Sequence, residues 1–224
     1  MANDQAFSLL LFGATRGTGL ALAALARAHG LAVVALARSG ADTASLQALG
    51  CVVEEGDVLD AARVRAVVAA HPDARAVSTL GGGPLGASAD HQGVVNVVDA
   101  LTATGPRRLV LVTSLGVGES RVYASPRLID AIGPVLDEKG RGEAYARAAG
   151  LALTVVRPGG LRDGPADGRG ALYDDPQGHG WITRGELARL LLLCLNTPAT
   201  EGRVLTALGQ AEARLPEGVG PAFQ

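Results

Sequence analysis

Apolar residues fall in short blocks along the chain, parted by polar, glycine-bearing stretches. Ser8 to Phe12 is an apolar run long enough for one buried strand. Beyond the glycine-rich stretch Gly13–Gly19, Leu20, Ala23, Ala24 and Ala28 recur at helical spacing. Gly30 supplies a helix stop, and Leu31 to Ala37 reads as a second buried strand. The alternation continues with a strand at Cys51–Val53 and an alanine-rich helix at Asp60–Ala70, capped by Asp57 or Asp60. Ala74–Leu80 is a fourth strand. Asp90–Ala103 is a helix with Val94, Val97, Val98 and Leu101 on one face, and Arg107–Thr113 is a fifth strand. Val135–Ala149 is a polar helix ended by Gly150, and Leu151–Val156 is a sixth strand. Thr183 opens a further helix with Glu186 three residues on, and that helix buries Leu187, Leu190, Leu191 and Cys194. Arg203–Leu208 is the last strand. Two stretches lack a period. Residues 116–134 read as a loop with a short helix, forming a partial lid. Residues 162–182 open with a Gly-, Asp- and Pro-rich loop whose length suggests a substrate-side segment. The tail 209–224 is expected to be partly frayed.

Strands alternating with helices predict an α/β chain of one domain, residues 1–224. Its sheet is a doubly wound, mostly parallel one of Rossmann type, with strand order 3-2-1-4-5-6-7. Composition agrees, since 48% hydrophobic and 19% charged residues make a globular balance. With aromatics at 3%, the core must be built from Ala, Val and Leu. A formal charge of −2 gives no basic surface for nucleic acid. Cys51 and Cys194 both lie in apolar runs and read as buried free thiols. The longest apolar run, Leu190–Leu195, is far below a membrane span, and Met1–Ala6 is too polar for a signal peptide. These features predict a cytoplasmic protein with a small-molecule substrate, no membrane partner, and a monomeric or small homo-oligomeric state.

The glycine-rich stretch points at a phosphate. Free N–H groups and the helix dipole gather where a strand turns into a helix, and an anion is stabilised there. Gly13 permits the tight turn, Gly17 lets backbone approach a pyrophosphate, and Gly19 lets the helix pack close on the strand. The second strand then decides between the two nicotinamide cofactors. An acidic residue at its end would take a ribose 2′-hydroxyl, but the chain has Arg38-Ser39 there, and arginine pairs with a 2′-phosphate. Arg16 adds positive charge, so NADP(H) is expected in preference to NAD(H). Asp57 stands at the end of the third strand as either an adenine acceptor or a turn residue, with Val58 beside it. Leu80, Gly81, Gly82 and Gly83 end the fourth strand, where backbone alone can carry a ligand. Thr113 and Ser114 end the fifth. The Ser114 hydroxyl there reads either as a group meeting substrate or as an ordinary polar turn residue. The four histidines share no metal-ligand spacing. His29 and His71 fall at helix ends, and His91 and His179 read as surface residues that can reach a substrate.

These motifs together resemble the short-chain dehydrogenase/reductase superfamily. The chain is similar to its short atypical members, the NAD(P)H-binding, NmrA-like group that includes biliverdin reductase B/flavin reductase-type proteins. The resemblance rests on GATRGTG, GDV at Gly56–Val58, LGGG at Leu80–Gly83, VTSLG at Val112–Gly116, Lys139 with Glu143, GLALTVVRPGGL at Gly150–Leu161 and WITRGELA at Trp181–Ala188. It implies that Gly13, Thr15, Arg16, Gly17, Thr18 and Gly19 cradle a pyrophosphate. Arg38 and Ser39 would hold the 2′-phosphate, and Asp57 and Val58 the adenine. Leu80, Gly81 and Gly82 would line a ribose, Pro158, Gly159, Gly160 and Leu161 would edge the nicotinamide, and Lys139 would bond its ribose, with Thr113 counted among the cofactor residues. The superfamily places its proton-donating tyrosine four residues before the lysine, and that position is Val135. Tyr145 lies six residues past Lys139, about 240° around a helix, so it faces elsewhere. Tyr123 would have to fold in from its loop.

Two functions remain open on this reading. One is an NADPH-dependent reductase passing hydride to a flavin-, tetrapyrrole- or quinone-like acceptor, with Ser114 and Lys139 as candidate catalytic residues. The other is an NADP(H)-binding sensor or partner-docking protein without turnover, which the valine at the acid position favours.

Overall fold

The computed structural model describes residues 7–81 and 87–224. Its main sheet has eight strands: β1 (Leu9–Phe12), β2 (Val33–Ala37), β3 (Val52–Glu55), β4 (Arg75–Ser78), β5 (Arg108–Val112), β6 (Ala152–Pro158), β8 (Gly170–Tyr173) and β10 (Val204–Gly209). They lie in the order β3-β2-β1-β4-β5-β6-β10-β8. Seven of them are parallel and reproduce the expected 3-2-1-4-5-6-7 order, with β10 as the seventh, while β8 runs antiparallel to β10. Two short parallel strands, β7 (Gly160–Arg162) and β9 (Trp181–Thr183), form a separate ribbon above the strand ends.

Side-chain alternation along each strand builds two cores. Leu9 and Leu11 of β1, with Val110 and Val112 of β5, face α1 (Gly17–Ala28) and α6 (Arg184–Asn196). Leu10 and Phe12, with Leu109 and Leu111, face α3 (Ala61–Ala70), α4 (Gln92–Thr104) and α5 (Pro126–Ala148). A short helix, α2 (Ala44–Ala48), buries Leu46 beside α1. Apolar residues on both faces are what a parallel sheet covered by helices requires.

Three expectations need correction. The stretch after Arg162 is not a plain loop, because it contributes β8, whose Gly170–Tyr173 backbone covers the edge of β10. Its four fully buried residues are too few to show a period among the surrounding Gly, Asp and Pro. The tail 209–224 is tied down rather than frayed: Phe223 bridges Leu172 of β8, and Arg214 exchanges two backbone hydrogen bonds with His179. Finally, α5 starts at Pro126 instead of Val135. Ser125 caps it and Pro126 sits in its first turn. The backbone leaves helical geometry at Ile132 (φ −139°, ψ 16°), two residues before Pro134, whose ring cannot continue the ladder. The short helix expected in 116–134 is therefore the part of α5 before the kink, preceded by a 3₁₀ turn at Gly118–Tyr123.

A cleft that converges on a dinucleotide

The carboxyl ends of the parallel strands open into one cleft of about 1410 Å³. That exceeds the roughly 300–1,000 Å³ of a typical small-molecule pocket and leaves room for a cofactor and a second ligand. Gly13, Thr15, Arg16, Gly17, Thr18 and Gly19 line one end, followed by Arg38, Asp57 and Val58, then Leu80 and Gly81, and finally Thr113, Ser114, Lys139 and Pro158 to Leu161. Thus residues picked from seven separate stretches of sequence line one cleft. Ser39 is exposed and does not line this cleft. Gly82 and Gly83 lie outside the described residues.

The glycine turn is built for contact with backbone. Gly13 has φ +90°, and a Cβ on Gly19 would stand 2.2 Å from Gly13 O and 2.7 Å from the Thr79 hydroxyl. Thr79 Oγ1 donates to Gly13 O at 2.9 Å, fixing the turn against the end of β4. The N-terminus of α1 lacks a side-chain cap, as do those of α2 and α4. Helices α3, α5 and α6 are capped by the side chains of Asp60, Ser125 and Thr183. The N-cap of α1 is Arg16, which has no acceptor and makes no side-chain cap bond, and no acidic residue stands in the first turn. Unlike α2 and α4, α1 presents its first residues, Gly17, Thr18 and Gly19, to the cleft, so its first N–H groups are open to an external anion there, flanked by guanidinium groups. This is the fit that a dinucleotide pyrophosphate needs.

The other candidate groups have definite partners. Asp60 caps α3, while Asp57 Oδ1 accepts from Leu59 N at 2.9 Å in a local turn and still faces the cleft. Lys139 Nζ donates to Leu80 O at 3.1 Å and to the buried Asp90 carboxylate at 2.5 Å, which joins α5 to the end of β4. Ser114 Oγ donates to Leu115 O at 2.9 Å. The Thr113 hydroxyl points backward and donates to Glu143 at 2.9 Å. Glu143 is ion-paired with Arg157, and both side chains are buried. Burial alone would lower the Arg157 pKa, but Glu143 and Glu119 together raise it. Hydrogen bonds from Arg147, from backbone and from Arg157 hold the Glu119 carboxyl down at about 2.

Val135 lies off the cleft, and Tyr145 faces away, donating to Asp99 at 2.6 Å on the outer helical face. Tyr123 does reach the cleft, on the 3₁₀ turn, as does His179, whereas His91 pairs with Glu138 outside it. Leu128, Ile132, Trp181 and Arg184 also line the cleft. The first two belong to the part of α5 within 116–134, where the sequence shows no period. The last two belong to a stretch whose pattern showed only a helix start.

The family model for NAD(P)H-binding proteins matches residues 13–198, most of the chain. The chain belongs to this NAD(P)H-binding family. It is an atypical, NmrA-like member of the short-chain dehydrogenase/reductase superfamily, and its dinucleotide is a nicotinamide cofactor. It is similar to ChuY of Escherichia coli O157:H7, titled an anaerobilin reductase, at 32% identity and TM-score 0.83, over 96% of this chain and 100% of that one. Among curated sequences it is 30% identical to an uncharacterized chloroplastic protein of Arabidopsis thaliana, over 55% of this chain and 46% of that one. It is 27% identical to YhfK of Bacillus subtilis, named an uncharacterized sugar epimerase, over 51% of this chain and 50% of that one. The chain thus spans about half the length of the curated relatives it matches. Among the described residues no helix is long and apolar enough to cross a membrane.

Proposed function

We propose that the protein is an NADPH-dependent reductase acting on a flat conjugated acceptor of the flavin, tetrapyrrole or quinone kind. The observation that carries this reading is the shape and lining of this cleft. One end is a cationic, glycine-lined trough. The other is a broad chamber edged by Tyr123, Leu128, Ile132 and Trp181, which suits an apolar ring system. The likeness to ChuY supports the same class of acceptor.

When bound, the nicotinamide supplies the hydride. The chain supplies position. The uncapped start of α1 takes the pyrophosphate, and Arg38 at the end of β2 takes the 2′-phosphate. Lys139, held by Leu80 O and Asp90, presents its ammonium to the nicotinamide ribose. Pro158 to Leu161, which line the cleft, would edge the nicotinamide and help to exclude water. Orienting an acceptor beside it would account for the catalysis. The proton reaches the reduced acceptor from solvent or from the Ser114 hydroxyl, so a valine at position 135 is compatible with turnover. That same valine supports a second reading, an NADP(H) sensor without turnover.

Calorimetric titration with NADPH and NADH, on the natural protein and on Arg38→Ala, tests the cofactor half. NADPH is expected to bind at least tenfold tighter, about 1.4 kcal/mol, and the variant should lose that preference. Equal affinities in the natural protein would refute the NADPH assignment. Oxidation of NADPH by flavin, quinone or linear tetrapyrrole then separates the reductase from the sensor, which would bind without consuming it.

A further inference from the structure

The cleft holds a cation that the glycine turn does not supply. Arg184 is the first residue of α6, as Gly17 is the first residue of α1. The two helices lie side by side on one face of the sheet, sharing a core through Leu22, Ala23 and Ala26 against Leu187, Leu190 and Leu191. Their N-termini therefore meet. The point where a Cβ would stand on Gly17 is 3.5 Å from both Cδ and Nε of Arg184. The stem of this arginine lies over the very turn whose N–H groups lack a side-chain cap.

The base of Arg184 is fixed from several directions. Thr183 Oγ1 donates to Pro165 O at 2.8 Å and caps Glu186 N, and Gly185 N donates to Gly164 O at 3.0 Å. The buried Glu186 carboxylate gathers the N–H groups of Asp167, Gly168 and Gly170. At the far end of α6, Arg108 donates to Cys194 O at 2.7 Å and Arg75 to Leu195 O at 2.6 Å. The guanidinium itself is held more loosely. Its partner is Asp163 at 2.9 Å, a side chain that is 94% exposed. An ion pair that open to water is weak and readily exchanged.

We propose that Arg184 is a phosphate ligand of the cofactor site, with Asp163 as its partner when no phosphate is present. On binding, the guanidinium exchanges Asp163 for the pyrophosphate seated at the start of α1. The β7–β9 ribbon and α6, which bear on the substrate side of the cleft, are thereby tied to the cofactor. This assignment rests on the dinucleotide reading of the cleft and adds to it a residue from α6. Arg38 reads the 2′-phosphate, whereas Arg184 reads the diphosphate common to both nicotinamide cofactors.

The test is calorimetric titration of the whole chain with NADPH, NADH, ADP and 2′-AMP. Arg184→Ala is expected to weaken NADPH, NADH and ADP by a common factor of about ten and to leave 2′-AMP unchanged. Arg184→Lys, which keeps the charge, should recover part of the loss, and equal thermal midpoints exclude misfolding. Asp163→Asn should tighten NADPH two- to threefold by freeing the arginine. Unchanged affinity for all three diphosphates in Arg184→Ala overturns the proposal, as does an equal loss in Asp163→Asn, which would make the pair a structural strap. Failure of the natural protein to bind any of the four would instead remove the cofactor reading itself, and this proposal with it.

Discussion

Gly142 is the residue on which the position of Lys139 turns. It lies three residues past Lys139 on α5, and a Cβ there would stand 2.5 Å from the backbone O of Asp90 and 3.2 Å from Cβ of Val94. Ordinary contact begins at 3.4 Å, so Gly142→Ala must push α5 away from the Asp90 corner by about 0.9 Å, the difference between 3.4 and 2.5. The obstacle is backbone, which cannot rotate aside as a side chain can. If Lys139 moves with its helix, its 3.1 Å bond to Leu80 O lengthens to about 4.0 Å and is lost. Overpacking of this kind costs roughly 1–3 kcal/mol. Urea unfolding should register that loss as a lower midpoint with an unchanged slope. Dinucleotide titration should show weaker binding, because the ammonium would no longer stand where we propose the nicotinamide ribose lies. Lys139→Met removes the ammonium without overpacking the helix; because it also takes that ammonium from the buried Asp90 carboxylate, its affinity and not its urea midpoint is the comparison. A Gly142→Ala protein with native midpoint and native affinity would refute the reasoning, and would mean that α5 is free to slide.

Other consequences can be checked by the same means. Glu143→Ala strips Arg157 of its main buried partner, and removing one member of such a pair costs about 3–5 kcal/mol. Because Glu119 still pairs with Arg157, the urea measurement should fall near the lower bound, while a loss under about 1 kcal/mol would contradict the burial argument. Burial alone would raise the Glu186 carboxyl pKa, but Arg189 and the N–H groups of Gly170 and Gly168 bring it below the usual carboxylate value. Its stabilisation is therefore complete above the unfolded pKa of about 4.3 and lost as pH falls through the lower folded value. Stability followed by urea unfolding should decline on the acid side, and Glu186→Gln should flatten that decline. Burial pushes the Cys194 thiol up to about 12, so a thiol reagent at mild alkaline pH should modify it only after unfolding.

Much of this architecture was legible because it repeats. The inner strands of the parallel sheet are buried on both faces and the flanking helices on one, so the apolar blocks and the breaks between them marked the alternation behind the order 3-2-1-4-5-6-7. The trough of the cleft was legible for the same reason, since its residues sit where strands end, and strand ends are what periodicity locates. Arg38 reaches the cleft because β2 stops at Ala37. Ser39, one residue on, misses it because the chain has turned outward and periodicity does not fix the direction of a turn.

What stayed hidden has a common cause: its elements are shorter than a period or are defined by partners remote in sequence. β7 and β9 have three residues each, and β8, though no shorter than β1, β3 or β4, lies among Gly, Asp and Pro with no helix directly after it. Glu186 matched half of a capping box, with Thr183 correctly at the cap, yet its carboxylate turns away from Thr183 N and collects the N–H groups of residues 167–170. A one-dimensional pattern describes the helix a residue begins and is blind to the loop that folds over it. The same blindness hid Arg184. Its place beside Gly17 follows from α1 and α6 packing together, a relation between residues more than 160 positions apart. The half of the cleft that holds a cofactor is thus written locally, in strand ends and glycines. The half that we propose takes an acceptor is written in contacts that the sheet makes between distant segments, so variation there would change the acceptor without disturbing the trough.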